Sequence, residues 1–360
     1  MIGERLYALA LQICSRIFAE WISMDCVGTL TSCRRVFGAA PWLAFAVAGC
    51  GGAHDKLPSG GDALGTDGVS ADSMQPSVCT HPTLCLGWPL AGPDGRAWVI
   101  NNYVDRDPGT GVLDYRGGAK TYDGHAGVDI DIANFPAMDA GVPVYAAAPG
   151  EVVSVVDGNP DRNTSCMGTA NQVVVRHADG SQAIYAHLRT GSTAVTTGSN
   201  VSRGTLLGQV GSSGCSSGPH LHFQINDAAN LVRDPFEDGM WDAPPVYDTP
   251  LGVMDVLLKA SPYTGWNEAM DPAPNITSIS GGSTLQVGVI SGGGQPTDTL
   301  VVRLVKPGGG AGAMNTFTMT QAYRHAFWVL PVVVGTQSGA WTIEILTNQT
   351  VQATRSITVP

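Results

Sequence analysis

The chain has 360 residues, enough for two domains. Its formal net charge of −11 argues against a nucleic-acid partner, whose phosphates it would repel. Only 14% of the residues are charged, while glycine and proline number 46 and 23, a balance that reads as β structure joined by tight turns.

In chain order, the first expected element is a targeting segment spanning residues 1–50. Arg34 and Arg35 precede the apolar stretch Val36 to Ala48. A short apolar run behind basic residues is the pattern of a secretory signal, and it is too short to span a bilayer comfortably. It ends in Val47-Ala48-Gly49-Cys50, which resembles a lipobox. That resemblance implies a lipidated Cys50 as the mature N-terminus, anchoring the protein to a membrane of the cell envelope. Arg16 and Glu20 interrupt the apolar pattern further upstream, so Met24 is the expected true start. Residues 51–78 are mostly Gly, Ser, Asp and Ala, too poor in bulky apolar side chains to offset their ordering entropy, and read as a flexible tether.

Between residues 79 and 243 the pattern is all-β. Trp98 to Asp105 leads into Tyr122-Asp123-Gly124-His125-Ala126-Gly127-Val128-Asp129-Ile130-Asp131-Ile132, where Val128, Ile130 and Ile132 alternate as on a strand. His125 and Asp129 are four apart, so on an extended strand they share the opposite face. Short strands are expected at 144–148, 151–156, 172–177 and 181–188, the last carrying His187. Ser217-Gly218-Pro219-His220-Leu221-His222-Phe223-Gln224-Ile225 is the most informative stretch. Leu221, Phe223 and Ile225 form one face, and His220, His222 and Gln224 form the other. Two imidazoles side by side are not needed in a core strand. Two nitrogen ligands and one carboxylate oxygen, with a fourth position left to water, make a catalytic zinc set. The acidic turn 157–163 reads as a solvated loop, and His177 as a structural strand-end residue.

These stretches, in this order, resemble the lysostaphin-type (LytM-like) zinc metallopeptidases, which cut peptidoglycan peptides. The family's pattern is His-x-x-x-Asp, Tyr-x-His-Leu and Gly-Pro-His-Leu-His-Phe, and the spacers Gly141 to Val152 and Val201 to Gly214 also match. The resemblance covers residues 85–240. It implies a small antiparallel β domain of the duplicated hybrid motif kind, with the site in a groove. It implies that His125, Asp129 and His222 hold Zn2+ and that His187 and His220 are unligated catalytic histidines. The implied activity is hydrolysis of peptide cross-links or stems of bacterial peptidoglycan. A catalytically silent cell-wall binding or activator protein, and a peptidase of exported proteins, are the alternatives left open.

Of eight cysteines, four lie beyond Cys50: Cys79, Cys85, Cys166 and Cys215. An even count in an exported chain reads as disulfides, and Cys79–Cys85 with Cys166–Cys215 is the expected pairing, the second joining two loops that flank the active-site sheet. Residues 244–274 read as a connector with a short helix over Val253 to Lys259. Residues 275–360 carry six or more short strands with glycine-rich turns, expected to form an immunoglobulin-like β-sandwich whose Trp328 and Trp341 are core residues. It carries no catalytic cluster and is an accessory domain of unknown ligand.

Overall fold

Antiparallel pairing dominates the computed structural model, which describes residues 79–163 and 168–360. The targeting segment, Cys50, the tether and the Cys166–Cys215 link lie outside the described residues. The N-terminal lobe contains β1 (Val99–Asn102), β2 (Val128–Asp131), α1 (Phe135–Ala140), β3 (Pro143–Tyr145), β4 (Gly150–Val156), β5 (Gln172–Arg176), β6 (Gln182–Ala186), β7 (Asn200–Val201), β8 (Leu206–Gln209), β9 (His220–Asn226) and β10 (Val232–Arg233). Its main sheet runs β1-β2-β9-β6-β5-β4-β7, with β10 added to β9, and β3 and β8 form a separate pair. Cys79 and Cys85 are disulfide-bonded, as expected.

Strand β9 sits between β2 and β6 because its alternation demands cover on one face. Leu221, Phe223 and Ile225 are fully buried, while His220, His222 and Gln224 line the half-open face. Each such apolar side chain contributes about 1.5–3 kcal/mol on burial. Pairing of Asp129 with His222 and of Asp131 with His220 then fixes the register of β2 against β9. A one-residue slip would turn all the polar groups into the core. Beneath the sheet, Tyr185 is buried and its hydroxyl accepts the Ala147 N–H at 2.7 Å, which ties β6 to the chain after β3.

The C-terminal lobe contains β11 (Gly252–Lys259), α2 (Trp266–Met270), β12 (Thr284–Gly292), β13 (Thr299–Val305), β14 (Ala311–Thr318), β15 (His325–Val333), β16 (Gly339–Thr347) and β17 (Thr350–Val359). Two antiparallel sheets, β11-β12-β15 and β14-β13-β16-β17, enclose a common core. Val256 and Val287 enter it from one sheet, and Leu300, Val302 and Leu304 from alternate positions of β13 in the other. Trp328 and Trp341 are buried there, as expected.

Val253 to Lys259 is not a helix but most of β11, paired with β12. The three-stranded sheet is covered on both faces. Val256, Val289 and Trp328 face the core between the two sheets, while Leu257, Ile290 and Phe327 belong to the core of the N-terminal lobe, together with Trp266, Ala269 and Met270 of α2. Asn134 adds a polar tie between the lobes. Its Oδ1 accepts the Ala137 N–H and caps α1, and its Nδ2 donates to Asp255 of β11 at 2.7 Å.

Candidate metal and catalytic site

Three side chains converge at the polar face of β2 and β9. His222 Nδ1 lies 2.9 Å from Asp129 Oδ1, His125 Nε2 lies 3.1 Å from the same oxygen, and the two ring nitrogens are 3.3 Å apart. His125 and Asp129 do not share a strand, however. His125 stands in the turn before β2, after Gly124 at φ +75°, and only Asp129 is on the strand. The positive φ at Gly124 swings His125 back over the strand that follows.

The other ring nitrogens are committed elsewhere. A carbonyl oxygen can only accept, so His125 Nδ1–H donates to Tyr103 O at 2.7 Å and leaves Nε2 with its lone pair toward Asp129. His222 Nε2–H donates to Gln224 Oε1 at 3.3 Å, and the Gln224 amide is turned that way because its Nε2 donates to Asn226. Two imidazole lone pairs and a carboxylate oxygen therefore point at one place with no proton donor among them, an arrangement that a cation relieves. Ligand bonds of about 2.0–2.2 Å in a tetrahedral set put the donor atoms about 3.3–3.6 Å apart, so a bound ion would spread the 2.9, 3.1 and 3.3 Å separations found here by a few tenths of an ångström. The trio could hold a metal ion.

Gly127 makes the close approach possible. A Cβ there would lie 2.6 Å from His222 Nε2 and 2.8 Å from the Phe223 carbonyl oxygen. Tyr122, half exposed, stacks on His125 with ring centroids 4.4 Å apart.

His187 and His220 flank the trio. His220 Nδ1–H donates to Gly218 O at 2.9 Å, and its Nε2 stands 3.7 Å from Asp129 Oδ1. His187 lies just past the end of β6 rather than on it, at φ +61°, and its Nδ1–H donates to Ser213 O at 2.7 Å. A non-glycine residue held at positive φ is strained, and such strain collects at functional sites. Burial, aided by the neighbouring His220, pushes the His187 pKa down to about 3, so that ring is neutral at ordinary pH.

Several contributors carry no local sequence signal. Asn102 Nδ2 donates to Asp129 Oδ2 at 3.1 Å. Asp131, two residues along β2, is buried against His325 of the C-terminal lobe at 3.0 Å. Gln224 is readable, because it stands two residues from His222 on the same strand face. His177 is buried at a strand end, with Nδ1 on Pro149 O.

Comparison with known proteins gives a family match over part of the chain. Residues 123–234 match peptidase family M23, and that span contains His125, Asp129, His187, His220 and His222. Residues 123–234 form an M23 peptidase domain. The chain is 39% identical over 100 residues to the DD-carboxypeptidase/endopeptidase Mpg of Neisseria meningitidis, covering 28% of this chain and 19% of that protein. It is 37% identical over 89 residues to the peptidoglycan DD-endopeptidase ShyA of Vibrio cholerae, covering 25% of this chain and 18% of that protein. Lysostaphin of Staphylococcus simulans is 31% identical over 146 residues, covering 39% of this chain and 25% of that protein. The chain thus spans about a fifth of the length of the first curated relatives it matches. Among solved structures, the catalytic domain of the M23 protein EnpA from Enterococcus faecalis is 26% identical, covering 41% of this chain and 94% of that one, at a TM-score of 0.30.

Proposed function

We propose that this protein is a zinc-dependent endopeptidase that hydrolyses peptide cross-links or stems of peptidoglycan in the cell envelope. The observation that carries the reading is the convergence of His125 Nε2, Asp129 Oδ1 and His222 Nδ1 within 3.3 Å, flanked by two histidines whose Nδ1 atoms are already committed to carbonyls. The match to the peptidoglycan DD-endopeptidase ShyA supports the substrate class.

His125, Asp129 and His222 would hold the zinc ion, which would supply a water of pKa lowered toward about 7 and polarisation of the scissile carbonyl. The protein's own groups handle the protons. The neutral His187 keeps its Nε2 lone pair free to accept from the attacking water, as a general base must. His220, whose Nε2 faces the same space from β9 while its Nδ1–H is held by the Gly218 carbonyl, would donate from Nε2 to the developing oxyanion or to the leaving amine when the ring carries a proton on both nitrogens. There is no HExxH glutamate in the sequence, so these imidazoles replace it.

The Val47-Ala48-Gly49-Cys50 sequence supports export and lipid anchoring through Cys50. The orders β11-β12-β15 and β14-β13-β16-β17 support an immunoglobulin-like reading of the C-terminal sandwich. Digestion of purified peptidoglycan, with products identified by mass spectrometry, tests the activity. Peptide-bond cleavage that stops on chelation is expected; undigested peptidoglycan with zinc-loaded protein would overturn it.

A further inference from the structure

The register of β1 against β2 places Asn102 opposite Asp129. One Asp129 oxygen, Oδ1, meets the two histidines, and the other, Oδ2, accepts from Asn102 Nδ2 at 3.1 Å. That hydrogen bond depends on which way the Asn102 amide is turned. Arg324 decides it. Its Nη1 lies 3.1 Å from Asn102 Oδ1 and also donates to the Asn101 carbonyl. A guanidinium has only donors, so it can face only the amide oxygen, which leaves Nδ2 for the carboxylate. Arg324 directly precedes β15, in the C-terminal lobe. The next residue, His325, is buried against Asp131 on β2, and Trp266 of α2 packs edge-on against its ring, with centroids 5.1 Å apart. Two consecutive residues of the C-terminal lobe thus grip the two strands that carry and orient Asp129.

We propose that Arg324 is a positioning residue for the metal ligand Asp129, acting through Asn102, so that the metal site is completed by a lobe outside the M23 domain. This rests on the reading that His125, Asp129 and His222 bind a metal. The relay does not place Arg324 at the metal. It fixes one amide orientation, which fixes one carboxylate, in the way that outer hydrogen-bond partners orient metal ligands.

The test is zinc affinity of the full chain, measured by competition with a chromophoric chelator and therefore independent of hydrolysis. Arg324→Met is expected to bind zinc roughly tenfold more weakly, at the low end of the effect of such partners. Arg324→Lys, which retains a cationic donor, should recover most of the loss. In an Asn102→Ala background, Arg324→Met should add nothing, because the relay is already broken. Arg303→Met, which breaks the pair with Glu344 elsewhere in the same lobe, should leave affinity unchanged. Wild-type affinity in Arg324→Met overturns the proposal, as does a loss that lysine does not recover and that adds fully to Asn102→Ala. Should Arg324→Met fail to fold, Asn102→Ala alone decides: it keeps the His325–Asp131 contact, and unchanged zinc affinity in it overturns the relay. A wild-type chain that binds no zinc overturns the metal reading instead, which separates the two failures.

Discussion

His187 and His220 stand with ring centroids 4.5 Å apart, each donating Nδ1–H to a backbone carbonyl, Ser213 and Gly218 respectively. Both rings therefore present Nε2 to the same space from different segments. Neither belongs to the converging trio, so removal of either ring leaves all three proposed metal-binding atoms in place. His187→Ala and His220→Ala are expected to retain wild-type zinc content and to lose about 100- to 10,000-fold in peptidoglycan hydrolysis. Zinc analysis beside a turnover assay checks this. Loss of zinc from the His220 variant together with retention in His222→Ala would exchange the two roles.

Gly127 gives a second, steric prediction. Its missing Cβ is the space into which the His222 ring packs, 2.6 Å from Nε2. Gly127→Ala must displace that ring or β2, and the Nε2–H bond to Gln224 shifts with it. Zinc affinity is expected to fall by about tenfold or more, although no ligand has been removed. Chelator competition measures the change; wild-type affinity would show that β2 yields without moving His222.

Much of the site is legible in the sequence because β9 obeys a strict alternation. Its imidazoles and its core residues fall on opposite faces by position alone. The positions of His125 and His187 at the mouths of β2 and β6 are less legible, since both depend on positive-φ backbone, at Gly124 and at His187 itself. Strand β11 reads as a helix for a physical reason. Its sheet lies between two cores, so both faces are apolar and period-two alternation disappears, leaving a run that suits either element. Asn102 and Arg324 leave no local trace because the links that matter join residues 27 and 222 positions apart.

Asp234 predicts a pH effect away from the metal site. Burial raises its pKa from 3.8 to about 6, against the opposing hydrogen bonds from the Phe236 and Glu237 backbone, and its Oδ2 has no hydrogen-bond partner among the described residues. The folded state therefore holds this proton more tightly than the unfolded chain. The group's contribution to stability is fully present below about pH 3.8 and is lost as pH rises through about 6. Asp234→Asn, which imitates the protonated form and keeps an acceptor for the turn, should stabilise the protein at pH 7 by about 3 kcal/mol and leave it nearly unchanged at pH 4. Urea denaturation at both pH values checks this. Equal effects at the two would mean that the carboxyl titrates normally.

The shared core gives the last prediction. Phe327 lies on β15, yet it is fully buried within the core of the N-terminal lobe, edge-on to Tyr263 at 5.1 Å and to Trp266 at 6.3 Å. Its neighbour Trp328 points the other way, into the core between the two sheets. Phe327→Ala leaves a cavity where the lobes meet and should cost about 3–5 kcal/mol. A chain ending at residue 243 loses more, since Leu257, Trp266, Ala269, Met270, Ile290 and Phe327 leave the core together. Buried apolar side chains contribute about 1.5–3 kcal/mol each, and a domain's whole stability is about 5–15 kcal/mol. The truncated chain is therefore expected to unfold at much lower urea than the full chain, or not to fold at all. A single cooperative transition at the full-length midpoint would show that the M23 lobe closes its own core and that the C-terminal lobe only leans on it.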